Sequence, residues 1–148
     1  MLRAIGGTIV GYLVIVVIIM ATFTGLYFLM GADRSFREGT YVPSLSWILV
    51  TFVLSLLAAM AGGWVSVAVG KSAKAATLLA TMVFVLGMAL AVLSLNEPPL
   101  ENPVRSGDVS NFEAMKRAKE PSWVAFTNPI LGAIGVVAGA RLRKPAAP

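Results

Sequence analysis

The sequence predicts an all-α polytopic membrane protein: a four-transmembrane-helix bundle with a short amphipathic helix in the outer loop between helices 3 and 4. Three observations carry this expectation. Only 13% of the 148 residues are charged and 57% are hydrophobic, whereas a soluble domain carries about 25% charged residues. The charges are gathered in a few short stretches between long apolar runs. Four of those runs approach the roughly 20 residues that a helix needs to cross a hydrocarbon core of about 30 Å.

The first run, residues 5–30, contains no charge. Arg3 precedes it, as in a signal peptide, but the run is far longer than an h-region of about 7–15 residues and no A-x-A site follows, so it reads as a retained helix. The second, residues 45–69, and the third, residues 73–95, qualify by length. The fourth, residues 123–140, is shorter and holds Gly132, Gly135, Gly139 and the pair Asn128-Pro129. At about 1.5 Å per residue it still crosses. The chain 1–148 reads as a single transmembrane domain. Its connections are outer loops 31–44 and 96–122 and an inner loop 70–72, which is short enough to make spans two and three a tight antiparallel hairpin.

Charge placement sets the expected orientation. Arg3, Lys71, Lys74, Arg141, Arg143 and Lys144 share one side with no acid, while the other side mixes six bases with seven acids. Lys/Arg counts tie, but the all-basic side keeps its charges close to helix ends, where the positive-inside rule acts most strongly. Both termini are therefore expected in the cytoplasm, with the chain multi-pass in the cell membrane (a cell inner membrane). The net charge of +5 does not imply nucleic acid, because the bases flank apolar runs and form no basic face.

Helices in lipid associate by close backbone approach and by hydrogen bonds, so stripes of small residues mark contact faces. Such stripes recur at helical spacing: Gly7 and Gly11, continuing through Ile18 to Thr22 and Gly25; Thr51, Ser55, Ala58, Gly62 and Ser66; Thr77, Ala80, Phe84, Gly87 and Ala91; Asn128, Gly132, Gly135 and Gly139. The Gly7-x-x-x-Gly11 motif alone does not imply a homodimer. Tyr41, Trp47 and Trp123 fall where an aromatic belt is expected, whereas Trp64 lies deeper, packed between helices or facing lipid.

In the long outer loop, Pro98, Pro99 and Pro103 favour extended chain. Ser110-Asn111-Phe112-Glu113 then fits a capping box. Phe112, Met115 and Ala118 follow at three-residue steps up to Pro121, which predicts a short helix on the membrane surface or over the bundle. The mixed charges of the two outer loops offer pairing between them.

The chemistry implied is sparse. With neither Cys nor His, disulfides, thiol catalysis, Cys/His zinc sites and His-based proton transfer are excluded. No ionisable residue lies within the spans, which argues against proton-coupled transport. Four spans resemble the small four-helix multidrug exporters in number only; those need an acid in the first span, and residues 5–30 have none. No serine has a Lys or His partner at membrane depth, and Glu97, Glu101 and Asp108 match no metal-ligand spacing. The expectation is no catalytic residue, no cofactor and no metal.

Two functions fit these residues. One is a non-catalytic accessory, scaffolding or structural subunit, whose partners are membrane lipid and other membrane proteins or itself. The other is a small transporter or channel for an uncharged or hydrophobic solute, lined by Thr51, Ser55, Thr77, Thr81 and Asn128. Asn128-Pro129 has two readings: a break in span four that exposes backbone to a ligand, or an Asn N-cap with Pro at the first helical position.

Overall fold

A computed structural model describes residues 1–98, 104–105 and 107–143. Pro99, Glu101, Pro103 and Lys144 lie outside the described residues. The described chain is helical: α1 (Leu2–Ser35), α2 (Leu45–Gly70), α3 (Ala73–Ser94), α4 (Asn111–Arg117) and α5 (Ser122–Leu142). Four of these, α1, α2, α3 and α5, are long and apolar enough to span a membrane.

Each boundary has a local cause. The regular part of α1 stops at Gly31, whose φ of 70° and ψ of 171° break the helix; only glycine adopts that conformation without strain. Ser44 caps α2 by accepting from the Trp47 N–H at 3.2 Å, and Ser72 caps α3 by accepting from Lys74 N–H at 3.2 Å. Between α2 and α3, Lys71 takes the left-handed conformation (φ 48°) that turns the chain back in two residues.

Around the bundle the order is α1, α2, α5, α3, with α1 and α5 at opposite corners and out of contact. The α2–α3 hairpin therefore spans the diagonal. The neighbouring pairs α1/α3 and α2/α5 run parallel, because each pair is separated by one intervening transmembrane pass. Small residues seat these contacts as expected in lipid. A Cβ on Gly7 would lie 2.5 Å from the Ser66 carbonyl oxygen, and one on Gly11 2.8 Å from that of Gly62, so α1 and α2 meet backbone to backbone. Gly63 faces the Val136 carbonyl and Gly139 the Met60 carbonyl, which closes α2 on α5. The core between them consists of Ile15, Ala59, Val67, Ala76, Leu79 and Val136.

The third stripe is corrected by the structure. The buried residues of α3 are Ala75, Ala76, Leu79 and Ala91, while Thr77 and Phe84 face outward. The register of α3 is set by α1: the Thr8 hydroxyl donates to the Ala75 carbonyl at 3.1 Å, and Leu79 fills the notch at Gly11. Of the two positions expected for Trp64, the structure shows the outward-facing one and not packing between helices. It is half exposed near the end of α2, with the Arg143 guanidinium 4.6 Å above its ring.

At the loop end, α1 runs past the start of α2 and carries a small cap. The Tyr27 hydroxyl donates to the Val109 carbonyl at 2.6 Å, and Tyr27, Ala32, Phe36 and Ala114 form a second cluster. Ser110 accepts from the Glu113 N–H at 3.2 Å. The Glu113 carboxylate does not close a capping box; it bonds the Tyr41 hydroxyl at 3.3 Å and Arg117 at 3.1 Å. The buried face of α4 is Ala114. Phe112 and Met115 are exposed, contrary to the apolar stripe read from their spacing, because the contact with Tyr27 and Phe36 admits only a small residue. The two outer loops also pair directly: Arg105, almost wholly buried, donates to Asp33 at 2.6 Å and to the Gly107 carbonyl at 2.6 Å.

Candidate functional site

Toward the loop end α1 and α2 meet through Phe23, Tyr27 and Trp47, and α2 and α5 through Phe52 and Trp123, while a separation opens between these helices and α3. The separation has a visible origin in α5. Pro129 is the eighth residue of that helix, not its first, so the N-cap reading of Asn128-Pro129 is overturned: α5 begins a full two turns earlier, at Ser122. The buried Pro129 ring packs on Gly87 of α3, and Gly132 packs on Val83. These contacts draw α3 toward α5 and away from the loop-end half of α2.

The space left between them is a cavity of about 870 Å³, within the usual range of about 300–1,000 Å³ for small-molecule sites. All four long helices contribute to its wall. Along α3 it extends from Val83 to Leu95, about 18 Å at 1.5 Å per residue. Tyr12 and Val16 on α1 and Leu86 and Leu90 on α3 line it and are also exposed, so it opens sideways between α1 and α3. At its upper end it reaches Glu97, Lys119 and Glu120.

Three of the five residues singled out in the sequence meet here. Thr51 and Ser55 of α2 and Asn128 of α5 line the cavity. Thr77 and Thr81 do not; both are exposed on the outer face of α3. The Thr51 hydroxyl is satisfied within its own helix, by the Trp47 carbonyl at 2.9 Å or that of Ile48 at 3.1 Å, which leaves its oxygen as an acceptor. Among the described residues, neither the Ser55 hydroxyl nor the Asn128 amide has a hydrogen-bond partner. Pro129 has no N–H to give the Ala125 carbonyl one turn back, and Ala125 also lines the cavity. Polar groups without partners are costly in an apolar medium, and here Ser55 of α2 and Asn128 of α5 line the same cavity.

The mouth belongs to the segment that leads into α5. The Lys119 N–H donates to the Tyr41 carbonyl at 3.0 Å and its ammonium to the Pro98 carbonyl at 3.2 Å. Glu120 keeps access to solvent but has protein on most sides; burial pushes its carboxyl above the ordinary carboxylate range. The mouth residues and the Pro129–Gly87 contact were not singled out as site residues from the sequence. The usable signal was position: Glu97 and Glu120 flank the loop ends of two neighbouring spans, which any such bundle brings together.

The fold defines a multi-pass helical membrane protein with an internal cleft near one membrane face. Comparison with protein-family models, with curated proteins and with solved structures found no match to this chain.

Proposed function

We propose that this protein is a non-catalytic membrane protein that binds an uncharged or hydrophobic solute in the cleft between its spans, as a small transporter or channel would. The observation that carries the reading is the meeting of the Asn128 amide and the Ser55 hydroxyl, each without a hydrogen-bond partner among the described residues, in one cavity with the Ala125 carbonyl, to which Pro129 has no N–H to give. An accessory subunit held together only by helix packing has no need of such groups. Its sequence support was that packing residues abound and chemical residues are missing, and the packing residues Gly7 and Gly11 are taken up by contacts within the chain. The reading is non-catalytic because the chain has no Cys or His and because, among the described residues, the cleft below its mouth is lined by no carboxylate or amine.

In this proposal the protein lies in the cytoplasmic membrane with both termini inside, following the all-basic terminal side, and the cleft mouth faces outward. Membrane lipid surrounds it, and other membrane proteins are its remaining candidate partners. The test is flux or binding in proteoliposomes with a panel of uncharged solutes graded in hydrophobicity. Asn128→Ala is expected to lower the signal and Thr81→Val, on the outer face of α3, to leave it unchanged. Absence of any binding or flux across the panel overturns the reading and returns the protein to the accessory class.

A further inference from the structure

The cleft is most polar toward its mouth and, apart from Ser55 and Tyr12, apolar along the rest. Lys119, Glu120 and Ser122 stand at the mouth, and Ala125, Thr51 and Asn128 lie one to two turns below it. Beneath them the walls are Ile15, Ile19, Ala59 and Val83. A lipid in the same leaflet has the same gradient, with its head at the interface and its chain toward the midplane. The cleft's length of about 18 Å suits an extended chain better than a compact solute. Its sideways opening, between the exposed Val16 of α1 and the exposed Leu90 of α3, admits such a molecule from the leaflet without passage through water.

Resting on the solute-binding reading above, we infer that the ligand is a single-chain amphiphile with an uncharged, hydroxyl- or amide-bearing head, taken laterally from the loop-end leaflet. The head donates to the Ala125 carbonyl and the Thr51 oxygen and exchanges hydrogen bonds with the Asn128 amide. The chain lies along α3 toward Val83. A neutral head matches the level of Thr51, Ala125 and Asn128, where the lining carries no charged group; Glu97, Lys119 and Glu120 stand above it at the mouth. A charged head would bring its charge into apolar surroundings with no free opposite charge within the spans.

Native mass spectrometry of the full chain, released from neutral detergent, tests this with a monopalmitoyl glycerol as probe, and with glycerol and hexanol as the head alone and a short-chain alcohol. The expected result is one saturable monoacylglycerol per chain, weakened roughly fivefold to tenfold by Asn128→Leu, as for loss of a buried hydrogen bond. Val16→Trp, at the exposed edge of the opening where folding is undisturbed, is expected to weaken it as well, and Thr77→Val to leave it alone. Saturable binding of glycerol or hexanol without the monoacylglycerol overturns the amphiphile and leaves the solute cleft standing. Binding of none of the three overturns both. Monoacylglycerol adducts that are unsaturable, or indifferent to both cleft variants, mark general adsorption to the apolar surface and overturn the inference.

Discussion

The Pro129 ring of α5 lies against Gly87 of α3, so closely that a Cβ on Gly87 would sit 2.6 Å from the proline Cγ. A helix-interior proline and a helix-interior glycine, each unfavourable alone, fit one another and fix the loop-end separation of α3 from α2. Gly87→Leu forces a side chain into a rigid ring with no room to yield. Overpacking of this kind costs about 1–3 kcal/mol. Thermal unfolding in detergent is expected to show the loss, with a lowered midpoint and a weakened α3–α5 contact.

Glycines in the spans separate into two classes, and alanine distinguishes them. A Cβ on Gly63 would run into the Val136 carbonyl, whereas Gly6 and Gly25 have nothing within 4 Å. Gly63→Ala is expected to destabilise the bundle, because backbone on the facing helix cannot move aside. Gly6→Ala and Gly25→Ala are expected to be neutral or stabilising by about 0.5–1 kcal/mol, the helix preference for alanine. Unfolding midpoints of the three variants under one detergent condition check this; a loss at all three positions contradicts the assigned contacts.

The cap depends on Asp33 and Arg105. The Arg105 side chain is only 4% exposed, its Nε has no partner among the described residues, and the Asp33 carboxylate is 87% exposed. Asp33→Ala leaves the guanidinium with the Gly107 carbonyl. Removing one partner of a fully buried pair costs about 3–5 kcal/mol, but water screens this carboxylate, and a loss of about 1 kcal/mol is expected. Hydrogen exchange in 107–121 is expected to quicken in Asp33→Ala, and Arg105→Met, which also removes the orphaned Nε, to quicken it less.

Glu120 gives the protein a pH dependence of definite sign. Its carboxyl has a raised pKa because burial disfavours the charged form. The folded state then binds more protons than the unfolded state between the ordinary carboxylate pKa and the raised one, so stability falls as pH rises through that window. Below the ordinary value the penalty is absent. Glu120→Gln is expected to match the parent in acid and to exceed it at neutral pH; a parent that gains on the variant as pH rises contradicts the desolvated mouth.

Much of the fold was legible because lipid imposes few choices. The lengths of the apolar runs and the short turn at Lys71 required four spans and a hairpin. Gly7, Gly11, Gly62, Gly132, Gly135 and Gly139 were read as contact residues and are contact residues, whereas Gly25, read with them, has nothing within 4 Å because the backbone of α2 does not approach it there. Spacing could not say which neighbour each face meets. Leu79, not a small residue, fills the notch at Gly11; of the expected stripe of α3, Thr77 and Phe84 face outward while Ala80, Gly87 and Ala91 keep their contacts, and Thr81 is exposed as well. Likewise Asn128-Pro129 looked like a helix start because residue preferences describe an isolated helix, whereas the glycine that accommodates the proline lies in another span. Thr51, Ser55 and Asn128 were legible as cleft residues, being polar positions on faces that otherwise carry small residues.

Asn128 and Ile130 lie at the same depth in α5, one lining the cleft and the other exposed on the outer face of the bundle. The chain has no cysteine, so Asn128→Cys and Ile130→Cys each place a single thiol in a silent background. The most direct measurement is the rate at which a small water-soluble maleimide, added from the loop side of proteoliposomes, modifies each. The thiol at 128 is expected to react through the cleft mouth and to be protected by monoacylglycerol, while the thiol at 130 stays unreactive in lipid. Equal rates at the two positions, whether both fast or both negligible, would contradict a cleft that opens among membrane-spanning helices.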